Sequence, residues 1–236
     1  MSQLRKLLIL SGIIFLGIKG WAVTLYPQAG TEYYFGANKF RSLKPWIGLR
    51  LSLSSTSSFL LKYTHHVLSF NYPLEDDLSQ KREATLSQFI GAFYQSKATT
   101  DIHLALSYFH GSEDYTALNL DGGAIWKLAA KIGLEGGFYL LDESSILWYP
   151  NDPKRRIRVG AIRGGIDLNL FSFLKINSVL YLYRNSEKIK ARTLAVSLIL
   201  IPRDPFYLVF TFWDYRESAT YHFSGQYLSF GLHIYY

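Results

Sequence analysis

Apolar and polar residues alternate with a period of two along most of the chain. In the segment 102–108, the apolar residues at even positions are separated by His103, Ala105 and Ser107. Successive side chains of a β-strand point to opposite faces, so this period predicts strands with one apolar face. The same alternation recurs in the segments 118–127, 132–140, 174–182 and 194–200. The sequence therefore predicts an all-β protein.

The C-terminal segment carries this pattern to the last residue. One face is apolar and consists of Leu228, Phe230, Leu232, Ile234 and Tyr236. The other face is mostly small or polar and consists of Tyr227, Ser229, Gly231, His233 and Tyr235. A strand between lipid and a polar interior requires this division. The five residues of the apolar face also resemble the terminal signal that the insertion machinery of bacterial outer-membrane barrels recognises.

Short and long connections alternate between the predicted strands. Five short links are predicted near residues 54–57, 96–99, 128–130, 171–172 and 202–205. Six longer links are predicted near residues 39–45, 72–82, 111–116, 142–155, 185–192 and 214–224. Bacterial barrels have short periplasmic turns and longer extracellular loops. The pattern predicts a transmembrane antiparallel up-and-down β-barrel of about twelve strands with both termini in the periplasm.

Three segments fit this pattern less well than the others. The first strand, near Thr31–Asn38, has the weakest alternation. The segment Arg158–Arg163 changes face part-way, which predicts a β-bulge. Phe206–Trp213 is apolar on both faces, so the sequence leaves open which side meets lipid.

The N-terminus reads as a secretory signal peptide. Arg5 and Lys6 precede the short apolar run Leu7–Ile18, and Gly20 and Ala22 are small residues before a predicted cleavage site after Ala22. The apolar run is shorter than the ~20 residues of a membrane-spanning helix. The predicted organisation is a signal peptide at residues 1–22 and a single barrel domain at residues 23–236.

Composition agrees with an exported barrel. The 236 residues include no Cys, which excludes disulfides and thiolate metal sites, and 17% of them are aromatic. Aromatic residues are enriched at both membrane interfaces of such barrels. The formal charge of +7 falls to +4 once Arg5, Lys6 and Lys19 are removed with the signal peptide. The basic charge is therefore weak evidence for a nucleic-acid partner, and none is predicted.

Charged residues on the predicted inner face define the candidate site. The predicted lumen-lining residues are Arg50, Lys62, Lys127, Lys131, Glu135, Arg163, Asp167 and Lys175. Rings of charged side chains set the selectivity of channels, so a slight basic excess predicts a passive channel for small polar or anionic solutes. Alternatively, opposite charges pair inside the barrel and tyrosines fill the remainder. The protein is then a plugged structural or accessory barrel.

Two other motifs are candidate sites for catalysis or metal binding. His66 with Ser69, or His222 with Ser224, is the minimum for acyl transfer by a lipid-modifying enzyme. The acidic run Glu75–Asp77 lacks the spaced ligands of a calcium loop. Neither motif is specific, so no enzymatic activity, metal or cofactor is predicted.

Two features suggest partners. The basic cluster Arg155, Arg156 and Arg158 would lie near the phosphates of lipopolysaccharide. The glycine pairs Gly122–Gly123, Gly136–Gly137 and Gly164–Gly165 predict either local curvature or a smooth patch for a lipid or another chain. The predicted partners are outer-membrane lipid and lipopolysaccharide, the insertion machinery, and a protein docked at the loops or the glycine-rich strands.

The architecture resembles the small monomeric twelve-stranded porins of the oligogalacturonate-specific type. The resemblance rests on the chain length, the number of strands and the terminal aromatic strand. It implies a location in the cell outer membrane and a basic lumen that admits acidic sugars. No lumen motif of that family is present, so no binding residue is transferred from it.

Overall fold

The computed structural model describes residues 23–73, 79–144, 147, 155–218 and 223–235. The predicted signal peptide and its cleavage site lie outside these residues. The strands are β1 (Thr24–Gly36), β2 (Phe40–Ser52), β3 (Ser57–Pro73), β4 (Ser79–Ser96), β5 (Thr100–Gly111), β6 (Thr116–Ala129), β7 (Ile132–Ser144), β8 (Arg156–Phe171), β9 (Leu174–Asn185), β10 (Lys190–Arg203), β11 (Phe206–Glu217) and β12 (Gly225–Tyr235). Within this part of the chain, no helix is long and apolar enough to cross a membrane.

The twelve strands close into one antiparallel barrel. Each strand pairs with its neighbours in sequence, and β1 pairs with β12 from Gln28 opposite Tyr235 to Gly36 opposite Tyr227. Closure leaves no unpaired sheet edge, which lipid would not tolerate. The predicted fold class and strand number are confirmed.

The outer face of the barrel is apolar. Side chains such as Leu104, Ile162 and Phe230 point outward and are 48%, 65% and 42% exposed. Exposed apolar patches above a few hundred Å² are rare on soluble proteins, whereas lipid accommodates them. The alternation in the sequence therefore separates a lipid-facing wall from an inner face.

The two ends of the barrel differ in the connections that they carry. The terminal end bears the start of β1, the end of β12 and the short turns at residues 53–56, 97–99, 130–131, 172–173 and 204–205. The loop end bears the other connections. The predicted periplasmic location of the terminal end remains a prediction.

The first hairpin departs from the sequence prediction. β1 begins at Thr24 instead of near Thr31, and β2 already begins at Phe40, so the predicted long link at residues 39–45 is wrong. The connection is a short 3-10 turn at Ala37–Lys39. Pro27 and Pro45 interrupt the sequence pattern but are accommodated within the strands. Opposite Pro45, the β2–β3 ladder skips two pairs, because proline donates no backbone hydrogen bond.

The irregular segments of the sequence form regular strands. The predicted bulge at Arg158–Arg163 is wrong, since the β7–β8 ladder runs unbroken through this segment. Arg158 points outward and Arg163 points inward. The change of face in the sequence pattern therefore reflects arginines on both faces of one regular strand. In Phe206–Trp213, Phe206 and Phe210 face outward, while Thr211 faces inward and bonds to Ser197 at 2.9 Å.

Candidate functional site: the barrel interior

The inner face contains most of the predicted lumen residues. The strand registers and exposures place on this face Arg50, Lys62, Lys127, Glu135, Arg163, Asp167 and Lys175. Lys131 lies instead in the turn between β6 and β7, where its Nζ donates a hydrogen bond of 3.2 Å to the carbonyl oxygen of Leu170. Several of these residues belong to two groups that lie on opposite sides of the barrel.

The first group, here called the basic wall, consists of Lys44, Arg50 and Lys62 on β2 and β3. Each cation lies against an aromatic ring. Lys44 Nζ is 3.7 Å from the ring centroid of Tyr34, and Lys62 Nζ is 4.1 Å from that of Trp46. The Arg50 guanidinium carbon is 5.0 Å from the ring centroid of its aromatic neighbour, Tyr94 on β4. The face of an aromatic ring attracts a cation, and this contact leaves the positive charge in place.

The basic wall forms no ion pair with a carboxylate of the described residues. Glu32 lies directly opposite Lys44 in the β1–β2 ladder, but its carboxylate accepts a hydrogen bond from Tyr34 at 2.6 Å and contacts His233 at 3.2 Å. One carboxylate therefore faces three cations on this side of the interior, which leaves an excess of positive charge.

The second group, here called the Arg163 network, lies half-way round the barrel on β5 to β9. The Arg163 guanidinium donates to Asp121 at 2.5 Å and to Glu135 at 2.9 Å, and it lies 2.8 Å from His103 Nε2. Asn177 adds a bond of 3.2 Å to Glu135. The Arg163 side chain is 4% exposed, so hydrogen bonds to these partners replace the hydrogen bonds that its guanidinium would make to water. Here the predicted pairing of opposite charges is present.

Glycines make room for this network. Gly123, Gly137 and Arg163 are consecutive neighbours across β6, β7 and β8. A Cβ at Gly123 would lie 2.7 Å from Arg163 Nη2, and one at Gly137 would lie 3.0 Å from Arg163 Cζ. Any larger residue would displace the guanidinium from its partners. The inner members of two glycine pairs thus have a packing role that neither sequence interpretation included.

The outer glycines face aromatic side chains. A Cβ at Gly136 would lie 3.0 Å from the ring of Trp126, and one at Gly122 would lie 2.7 Å from the ring of Phe138. These two positions are therefore covered by the barrel's own residues. Gly164 has no atom nearer than 3.8 Å to such a Cβ.

A cavity of about 320 Å³ lies at the terminal end of the barrel. Its polar lining includes Asp101, Lys127 and Asp167. Lys127 pairs with Asp101 at 2.7 Å, and Asp167 accepts a hydrogen bond from Asn169 at 3.2 Å. This end of the interior is polar and accessible.

A cluster of buried apolar side chains lies in the interior at the loop end. This group, here called the cap cluster, consists of Leu68, Phe70, Ala84, Leu86, Tyr115, Ala117 and Leu147, with Phe223 packed against it. Leu147 and Phe223 come from connections, and the Phe70 and Phe223 rings lie 5.8 Å apart. Leu147 is 0% and Phe70 1% exposed, so water does not reach them. The cap cluster therefore occupies part of the interior at the loop end.

The candidate acyl-transfer pair His66–Ser69 does not form. His66 points into the barrel and its Nε2 lies 3.0 Å from Gln88 Oε1, whereas Ser69 lies on the outer face. His222 and the acidic run Glu75–Asp77 lie outside the described residues. Within the described ranges, no three His, Asp or Glu side chains are grouped as metal ligands.

The basic cluster after the longest loop is largely neutralised. Arg155 pairs with Glu187, and Arg156 forms two hydrogen bonds to Asp142 at 2.6 and 2.8 Å. Arg158 lies 3.8 Å from the same Asp142 carboxylate. These arginines therefore offer less charge to a phosphate than the sequence suggests.

Lys44 and Glu32 are not among the interior residues predicted from the sequence. Lys44 falls in the long link predicted near residues 39–45. The even positions of β2, from Ser42 to Ser52, are nevertheless the polar or inward half of an unbroken alternation. This pattern, extended through the proline, was the signal that identifies Lys44.

Comparisons with known proteins identify the fold. No family model and no curated protein sequence matches the chain. An outer membrane channel from Pseudomonas putida F1 superposes with a TM-score of 0.64 at 8% identity, covering 92% of this chain and 96% of that one. The translocator domain of the autotransporter NalP from Neisseria meningitidis gives 0.62 at 10% identity, with coverages of 100% and 94%.

The KdgM porin gives a TM-score of 0.61 at 8% identity, covering 88% of this chain and 98% of that one. A second structure of that porin is a complex with disordered oligogalacturonate. At these identities the likeness concerns the fold. The chain has the fold of outer-membrane β-barrels, and the predicted resemblance to small twelve-stranded porins is confirmed at this level.

Proposed function

We propose that this protein is a channel of the bacterial outer membrane for small anionic solutes. The observation that carries the proposal is the basic wall, with three inward cations that have aromatic neighbours and no carboxylate partner. The acids Asp121 and Glu135 on the other side are paired with Arg163, which offsets one of their two negative charges. An entering anion therefore meets an excess of positive charge on the side of the basic wall.

The membrane location follows from the outer face and both ends of the sequence. The apolar wall needs lipid, and a cleaved signal at residues 1–22 would deliver the chain to the periplasm. The terminal residues Leu228, Phe230, Leu232, Ile234 and Tyr236 would present the insertion signal, of which Tyr236 lies outside the described residues. The termini then stay in the periplasm and the loop end faces outward.

Solute passage combines charge with weak, repeated binding. Conduction requires sites that attract an ion yet release it. Lys44, Arg50 and Lys62 follow one side of the interior, so an anion can pass from one cation to the next.

A second function is favoured by the cap cluster. Leu147 and Phe223 close the loop end with buried apolar surface, as a plugged accessory barrel requires. Such a barrel would dock a partner through its loops instead of passing solutes. For a channel, the same cluster has to move before conduction.

Planar-bilayer recording separates the two functions. Purified protein should give single-channel currents with anion preference, and the combined variant Lys44→Gln, Arg50→Gln, Lys62→Gln should lose that preference. The outward Arg192→Gln variant is the matched control and should retain it.

The cap cluster supplies the second arm of this test. Leu147→Ala with Phe223→Ala should raise the conductance or the open fraction. If neither the wild type nor this cap variant conducts above bare lipid, the channel proposal fails. A stable partner that co-purifies with the non-conducting protein would then support the accessory barrel.

A further inference from the structure

A groove of about 490 Å³ lies on the outer wall of the barrel near the loop end. Its lining comes from β1 to β4 and includes the outward side chains of Tyr33, Arg41, Leu43, Val67 and Ser69. Pockets for small molecules usually measure about 300–1,000 Å³. The wall therefore has, at this place, a concavity of the size of a ligand site.

Polarity changes along the groove in the direction of the membrane normal. Arg41 and Ser69 are paired in the β2–β3 ladder at the level nearer the loop end, and Glu83 is next to them on β4. Leu43 and Val67 are paired one step further toward the middle of the barrel and are each 46% exposed. A lipid molecule changes from polar to apolar in the same direction, because its head group lies at the membrane interface and its acyl chains extend toward the middle of the membrane.

Arg41 supplies a free cation at the polar level. It forms no ion pair with a carboxylate of the described residues, because Glu83 is bound by Lys81 Nζ at 2.5 Å. This differs from Arg155 and Arg156, which have carboxylate partners. Guanidinium matches the geometry of a phosphate oxygen pair, so Arg41 is suited to a phosphorylated head group.

We propose that this groove binds one lipopolysaccharide molecule. A lipid A phosphate lies against Arg41, the hydroxyl of Ser69 adds a polar contact, and one acyl chain covers Leu43 and Val67. The choice of lipopolysaccharide over a glycerophospholipid rests on the orientation given under the proposed function, in which the loop end is in the outer leaflet. The site itself does not depend on whether the interior conducts.

Native mass spectrometry of the folded barrel in detergent tests the site. Diphosphorylated lipid A, phosphatidylglycerol and phosphatidylcholine are the three probes. Wild-type protein should retain one lipid A molecule in preference to both phospholipids. Arg41→Gln should weaken that binding about ten-fold or more, as expected for the loss of a charge-assisted contact. Leu43→Trp should also weaken it by filling the apolar level.

Arg192→Gln is the matched control. Arg192 is likewise outward, exposed and close to the loop end of its strand, but it does not line the groove. A gel shift between boiled and unboiled samples verifies that each variant is folded. Equal lipid A binding by wild type, Arg41→Gln and Leu43→Trp would overturn the site. Phosphatidylglycerol retained as well as lipid A, with the same dependence on Arg41, would overturn the choice of lipopolysaccharide.

These outcomes are separable from failure of the channel proposal. Conductance is measured in bilayers that contain no lipopolysaccharide, and the groove residues lie on the outer wall. A barrel that binds lipid A without conducting would retain this site and lose its transport function.

Discussion

Replacing Arg163 by methionine tests the electrostatic core of the barrel. Methionine keeps most of the side-chain volume but removes the charge that compensates Asp121 and Glu135. Removing one partner of a buried ion pair typically costs about 3–5 kcal/mol, because the remaining charge is buried without water and without an opposite charge. Asp121 is 25% exposed and regains some solvent, so we expect the lower end, about 3 kcal/mol of unfolding free energy.

The measurement is urea unfolding of the detergent-folded barrel, followed by the fluorescence of its tryptophans. Arg50→Met is the matched control, since Arg50 is an inner arginine with a ring contact and a hydroxyl partner but no carboxylate. Its replacement should cost no more than about 1 kcal/mol.

A mutant cycle isolates the ionic part of the effect. In a protein that already carries Asp121→Asn and Glu135→Gln, Arg163 is a buried cation without a carboxylate partner, so Arg163→Met should cost no more than about 1 kcal/mol. The same cost in both backgrounds, to within about 0.5 kcal/mol, would refute the reasoning. The stability of the barrel would then not depend on charge compensation in the Arg163 network.

Two further predictions concern the glycines and the orientation. Gly137→Ala should destabilise the barrel by about 1–3 kcal/mol in the same unfolding assay, because its Cβ would lie 2.5 Å from the Gly122 carbonyl oxygen. Gly164→Ala, whose Cβ meets nothing nearer than 3.8 Å, should stay within about 0.5 kcal/mol, and equal effects would refute the packing argument. The chain has no Cys, so Ser218→Cys at the loop end should react with an impermeant maleimide on intact cells, whereas Ser55→Cys at the terminal end should not. The reverse pattern would place the termini outside.

The strands and their faces were predictable because the period of two follows from backbone geometry. A residue in a strand such as β5 or β12 has its face fixed by its parity, whatever its partners are. The first hairpin was harder, since Pro27 and Pro45 resemble strand breaks when only local preference is considered. Ladder pairing on both sides overrides that preference, as does closure of the barrel between β1 and β12.

The partners of the inner charges were not predictable, because they depend on registers between strands that are distant in sequence. Arg163 on β8 reaches Asp121 on β6, 42 residues away, across Gly137 on the intervening strand β7. The sequence shows the arginine, the aspartate and the glycines, but it does not show that the strand registers bring them together. The cap cluster is a similar case, since Leu147 and Phe223 come from connections without periodicity.

In the proposed channel, stability and selectivity depend on different sides of one interior. Arg163 is held by two acids in the Arg163 network, while the three cations of the basic wall form no ion pair and outnumber the single carboxylate of Glu32 near them. Lys62→Gln should therefore shift the reversal potential in a salt gradient and leave the unfolding free energy within about 1 kcal/mol. A basic-wall variant that unfolds easily but keeps its anion preference would show that these cations serve packing, and the channel proposal would lose the observation on which it depends.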